Sequence, residues 1–109
     1  MSPVPDEPID EVEWVSPDII RGIFNDGQYY QKVLGNQLTA HIKKDKLLSS
    51  VPIGEPPGVR SQILYYYDQN GEPVAIVHQY VRPDGSLGGS GKPDPKKIFL
   101  EGRIIATRG

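Results

Sequence analysis

Gln62-Ile63-Leu64-Tyr65-Tyr66-Tyr67-Asp68, then Asn70-Gly71, then Pro73-Val74-Ala75-Ile76-Val77-His78-Gln79-Tyr80-Val81-Arg82 decide the fold. Asn-Gly between two alternating apolar runs is the strongest short-range hairpin signal, because both residues accept the positive φ that the turn requires. Side chains alternate along a strand, and residues opposite one another share a face. Pairing across Asn70-Gly71 therefore sets Tyr67 opposite Val74, Tyr65 opposite Ile76 and Ile63 opposite His78. The other face joins Tyr66 to Ala75 and Leu64 to Val77. Large apolar residues on both faces predict a hairpin at the centre of a sheet.

N-terminal to this hairpin, Ser16-Pro17-Asp18 is a helix start: a serine cap, a proline whose missing N–H is not needed, and an acid at the positive helix end. Ile19, Ile20, Ile23 and Phe24 follow at helical spacing, and Asn25-Asp26-Gly27 ends the run. Gly22 within it costs about 1 kcal/mol relative to alanine, which points to close packing there. Tyr29 to Leu34, Gly35-Asn36 and Gln37 to Lys43 read as a second hairpin. It places Tyr29, Val33, Leu38, Ala40 and Ile42 on one face and Tyr30, Lys32, Thr39 and His41 on a solvated one. Lys44 to Gly58, with Pro52, Pro56 and Pro57, reads as an irregular connector.

Past Arg82, Asp94-Pro95-Lys96-Lys97 reads as one helical turn. Ile98, Phe99 and Leu100 are expected to be buried, Glu101-Gly102 to turn, and Arg103 to Thr107 to form a last strand. Ile9 to Val15 fits either a helical turn or a strand. The expected fold class is α+β: an N-terminal helix packed on an antiparallel β-sheet of about four to five strands. Residues 16–109 form the single domain, and residues 1–15 an acidic, flexible leader.

A chain of 109 residues is sized for one domain. Without cysteine it has no disulfide, thiolate metal ligand or cysteine nucleophile. Two histidines far apart argue against structural zinc, and neither a metal nor a cofactor is expected. No apolar stretch approaches the roughly 20 residues of a membrane helix, and the N-terminus has no secretion signal. A cytoplasmic location is expected. The net charge of −2 hides an asymmetry, since residues 1–18 hold six of the 14 acids and none of the 12 bases. The rest of the chain is net cationic, as a polyanion partner would require.

The candidate site is the run from His78 to Lys97, where a strand enters a loop of glycines, prolines and cations. Backbone N–H groups of Gly85, Gly88, Gly89 and Gly91 can converge on an anion, with Lys92 and Lys96 adding charge. The run is not a phosphate loop of the Walker type, because Pro93 stands where Ser or Thr would bind magnesium. Nor is it a nucleophile elbow, since Lys92 takes the place of the final glycine. The expected ligand-binding residues are Tyr80, Gly88, Gly89, Ser90, Gly91, Lys92 and Lys97. His78, Tyr80 and Arg82 fall on one strand face, so a metal-independent ribonuclease would use His78 as base, with Arg82 and Lys96 on the phosphate. Tyr65, Tyr66 and Tyr67 alternate across the sheet. Aromatic rings on a sheet face can stack bases, but tyrosine is also a strong strand former, and that simpler role is adopted for them. Asp84 and Asp94 precede Gly and Pro and read as turn and cap residues.

The block His78-Gln79-Tyr80-Val81-Arg82-Pro83-Asp84-Gly85-Ser86-Leu87-Gly88-Gly89-Ser90-Gly91-Lys92-Pro93-Asp94-Pro95-Lys96 resembles one in short bacterial proteins of about this length, for which no activity is assigned. The order of helix then sheet, with a late histidine and cations, is also loosely similar to small ribonuclease toxins of the RelE and barnase kind, which are usually basic where this chain is acidic. The expected function is a binding module for an anionic ligand or RNA through loop 83–97. The alternatives are a ribonuclease, or a protein-interaction module in which the loop docks a partner.

Overall fold

The computed structural model describes residues 11–108. The elements are β1 (Glu11–Trp14), α1 (Pro17–Asp26), α2 (Tyr29–Leu34), β2 (Thr39–Leu47), β3 (Arg60–Tyr67), β4 (Pro73–Val81), β5 (Asp94–Leu100) and β6 (Arg103–Ala106). The fold is α+β, two helices on one six-stranded sheet of order β1-β6-β5-β4-β3-β2. The sheet is mixed, because β1 runs parallel to β6. That strand raises the count above the four to five expected. Only residues 11–15 of the proposed leader lie within the described residues, and four of them form β1.

The β3–β4 hairpin has the expected register over most of its length: Ile63 faces His78, Leu64 Val77, Tyr65 Ile76 and Tyr66 Ala75. It breaks at Tyr67, which faces Pro73 rather than Val74. The turn is wider than two residues, for Asp68 closes it through its own N–H to Glu72 O at 2.9 Å. Its carboxylate Oδ1 accepts from the N–H groups of Asn70 and Glu72. The extra residue appears as a bulge at Val74.

Helix α1 begins as its sequence dictates, with Ser16 Oγ accepting from Ile19 N–H. Ile20 and Phe24 pack into one core with Leu64, Tyr66, Ala75, Val77, Ile98 and Ile105. Ile19, on the edge of the apolar stripe, stays 54% exposed. Gly22 does not mark close packing: it is exposed, and a Cβ added there would meet nothing within 4 Å.

Further local expectations fail where longer-range packing and pairing prevail. Tyr29 to Leu34 is a helix, not a strand. Tyr29, Tyr30 and Val33 sit one and four residues apart, which is also a helical face, and all three pack against the core. Tyr29 stacks on Phe24 with centroids 5.4 Å apart. Gly35-Asn36, read as a hairpin turn, ends this helix instead; Asn36 takes φ 64° and Lys32 O accepts from Gln37 N–H at 2.8 Å. Asp94-Pro95-Lys96-Lys97 opens a strand, not a helical turn, because Pro95 is buried opposite Val77 and a bulge lets β4 accept it. Finally, β2 continues to Leu47, so the irregular connector starts at Leu48.

The sheet thus has two unlike faces. Leu64, Tyr66, Ala75 and Val77 lie beneath the helices. Ser61, Ile63, Tyr65 and Tyr67 of β3 face the other way with Ile76, His78 and Tyr80 of β4, all half-buried. Truncating Phe24 to alanine should cost about 3–5 kcal/mol of stability. Gly22→Ala should add about 0.5–1 kcal/mol, since it restores helix propensity into open space. Urea unfolding of the two variants checks both signs.

Candidate functional site

The loop after β4 is closed by its own backbone. Arg82 N–H donates to Ser86 O and Gly85 N–H to Arg82 O, both at 2.8 Å. Gly88 N–H donates to Tyr80 O at 2.8 Å and Gly91 N–H to Gly88 O at 3.1 Å. Asp84 Oδ1 accepts from the Ser86 hydroxyl and N–H, which holds the Asp84 carboxyl below its usual value.

Two further donors, the Arg82 side chain and the Gly89 N–H, meet an anion that the protein supplies itself. Glu55, from the connector between β2 and β3, accepts from Arg82 Nε at 2.8 Å and Arg82 Nη2 at 3.2 Å. Its Oε2 also accepts from Gly89 N–H at 3.0 Å. The Glu55 side chain is only 7% exposed. This forked pairing is the strong form of an Arg–carboxylate contact. Hydrogen bonds from Arg82 and then Gly89 hold the Glu55 carboxyl below its usual value, and Glu55 in turn raises the Arg82 guanidinium. Two loop glycines serve this contact. Gly89 takes φ 62°, and a Cβ on Gly88 would lie 2.9 Å from Glu55 Oε1. The glycine-rich loop is therefore a clasp around Glu55. Nothing in Gly54-Glu55-Pro56-Pro57 marks that acid in the sequence, because its partners lie 27 and 34 residues away.

Beside the clasp lies a cleft of about 440 Å³ between α1, the end of β4 and the loop. Arg21 and Asn25 form its helical wall. His78, Gln79 and Tyr80 form the strand side, and Gly88, Gly89, Ser90, Lys92, Pro93 and Asp94 the loop side. The cleft gathers six of the residues singled out from sequence: His78, Tyr80, Gly88, Gly89, Ser90 and Lys92. Arg82, Gly91, Lys96 and Lys97 lie outside its wall. Lys96 Nζ is 3.1 Å from Asp94 Oδ2, and Arg21 lies 3.7 Å from Asp94 Oδ1 and 2.6 Å from Asp18. Lys92 forms no ion pair among the described residues.

His78 Nε2 is 2.7 Å from Ser61 Oγ, and its ring meets Tyr80 edge-on with centroids 4.7 Å apart. Burial lowers the imidazole pKa below its usual value, the Lys96 charge adds to that, and Asp94 opposes it. The ring is thus neutral at pH 7. Although Asp94 faces His78 across the ladder, its carboxylate is engaged by Lys96 and Arg21. The Ser61–His78 pair therefore lacks the orienting acid of a hydrolytic triad.

Among the described residues, no three His, Asp or Glu side chains gather as a metal ion would require, and no helix is long and apolar enough to cross a membrane. Comparison with known proteins gave no match to a family model, a curated protein or a solved structure.

Because His78 binds its proton more weakly folded than unfolded, its contribution to stability is complete above pH 6.5 and declines as the pH falls from there toward the lowered folded value. Urea midpoints taken from pH 7.5 down to 5 should fall for the native chain and stay flatter for His78→Gln. Glu55→Gln removes the charge that Arg82 and Gly89 hold, so amide exchange at Gly88 and Gly89 should accelerate while exchange in β3 is unchanged.

Proposed function

We propose that this protein is a binding module for an anionic ligand, seated in the cleft between α1, the end of β4 and the glycine-rich loop. The observation that carries this reading is the placement of Lys92. It is a cation with no ion-pair partner among the described residues, on the wall of a concavity of about 440 Å³ that Arg21 also lines. That volume falls within the range of ordinary ligand sites, about 300–1,000 Å³. Asn25 and Ser90 offer orienting hydrogen bonds. Glu55 fixes the loop before any ligand arrives, which lowers the ordering cost of binding.

The expectation from sequence places backbone N–H groups of the loop on the anion, together with Arg82, Lys96 and Lys97. Arg82 and Gly89 are committed to Glu55 and Arg21 pairs with Asp18 and Asp94, so the charge on the ligand falls to Lys92. The same commitment weighs against the ribonuclease alternative. Neutral His78 suits a general base, but Arg82 and Lys96, the cations it would need at the phosphate, already hold Glu55 and Asp94.

Amide NMR titration with inorganic phosphate and with a nucleoside monophosphate tests the proposal. Shifts should concentrate at Asn25, Tyr80 and Ser90 to Lys92. Lys92→Ala should weaken binding about tenfold, the loss of one charge-assisted contact of about 1.5 kcal/mol. A dispersed spectrum that neither anion perturbs would refute it.

A further inference from the structure

We propose that the open face of the sheet is a stacking platform for single-stranded nucleic acid. This extends the cleft reading by naming the anion as a sugar-phosphate backbone, but it rests on different residues. Tyr66 points into the core, and its neighbours Tyr65 and Tyr67 necessarily point out. Their rings lie 6.3 Å apart at an interplanar angle of 33°. His41 of β2 meets Tyr67 edge-on at 5.2 Å. Lys43 Nζ sits 5.4 Å from the Tyr65 centroid and 5.6 Å from that of Tyr67. Stacking on such rings tolerates any sequence, because every base has a π face.

The charged side chains that β2 turns toward these rings are lysines. Lys44 faces Ile63 and Lys46 faces Ser61, so β2 lines the aromatic row with two lysines beside Lys43. Lys97 faces Ile76 on the far side of the row. The acid of β2, Asp45, faces Gln62 on the opposite side of the sheet and pairs with Arg60. A shallow hollow of about 410 Å³ opens where Thr39, His41, Lys43 and Tyr67 meet Gln69. Asp68 also borders it, with its carboxylate turned into its own turn.

The face also leads to the cleft, because His78 and Tyr80 share it and line the cleft wall. Eight residues of β3 at about 3.3 Å each give a track of roughly 26 Å, enough for a few nucleotides. A strand laid along it would stack bases on Tyr67 and Tyr65 and bring its phosphates past the β2 lysines. A duplex keeps its bases stacked on one another and cannot use the rings. A protein partner of this face would have to be both acidic and aromatic-binding, which is the narrower requirement.

Fluorescence anisotropy at low salt tests this with labelled single-stranded 12-mers of uridine and of deoxythymidine, and with a duplex of equal length. The single strands should bind and the duplex should bind more weakly. RNA bound better than DNA would assign a role to the 2′-hydroxyl, and equal binding would assign recognition to base and phosphate alone. The double variant Tyr65→Leu/Tyr67→Leu, which keeps apolar cover on the sheet, should lose at least about tenfold in affinity at unchanged salt dependence. Lys43→Gln, with both tyrosines intact, should weaken binding and flatten the salt dependence. Failure of either single strand to bind, equal binding of the duplex, or native affinity in the tyrosine variant with its fold confirmed by NMR would each overturn the platform. Phosphate binding at Lys92 would survive those outcomes, and its loss would leave a tyrosine-dependent affinity standing, so the two proposals fail separately.

Discussion

The constraint on which the rest of the molecule depends is the two-sidedness of the β3–β4 hairpin. Its alternation puts Leu64, Tyr66, Ala75 and Val77 on one face and Ile63, Tyr65, Tyr67 and Ile76 on the other. Both sets are bulky, yet the described chain supplies only helices of ten and six residues to cover them. One face receives Ile20 and Phe24 and becomes the core. Among the described residues, the other is shielded by its own side chains. Tyrosine and histidine suit that position, because each combines an apolar body with a polar tip. Lysine stems laid across the rings reduce their exposure further, as the position of Lys43 illustrates.

The second organising contact is the clasp of Arg82 and Gly89 on Glu55. It joins the connector before β3 to the loop after β4. A loop with four glycines between Gly85 and Gly91 would lose a large conformational entropy on ordering. The forked ion pair, one backbone donor and the Gly88 bond to Tyr80 offset that loss. Because the Glu55 carboxyl is held low, this contribution is complete above pH 4.5 and fades only as the pH falls through the lowered folded value. The His78 contribution fades at higher pH, so the two groups act in separate windows.

Features that rest on neighbouring residues were legible in the sequence. Ser16-Pro17-Asp18 capped the helix, Asn25-Asp26-Gly27 ended it, and the strands around Asn70-Gly71 paired in register from Tyr66 back to Ile63. Features decided by distant residues were not. Tyr29 to Leu34 has strand-forming residues at spacing that also suits a helix, and only the core beside Phe24 selects between them. Asp94-Pro95 carries a helix-start signal that pairing with Val77 overrides. The parallel strand β1 depends on Ile104 and Ile105, some 90 residues on. The cleft was legible as a set of residues, from His78 through Lys92. Its electrostatics were not, since Glu55 neutralises the arginine that local reading had offered to a ligand.

That neutralisation is what favours the proposed binding reading over the ribonuclease alternative. Cleaving a phosphodiester requires a base, an acid and a cation held at the phosphate in one geometry. In that alternative His78 would be the base, but Arg82, just past the end of β4, is tied to Glu55, and Asp94 is tied to Lys96 and Arg21. Each of these pairs stabilises a loop or a strand end, and each would have to break for chemistry to proceed. Lys92 and, on β2, Lys44 and Lys46 enter no such pair among the described residues. Charge that is not needed to hold the fold is free to meet a ligand at little cost. It borders the one face of the sheet that the helices leave open.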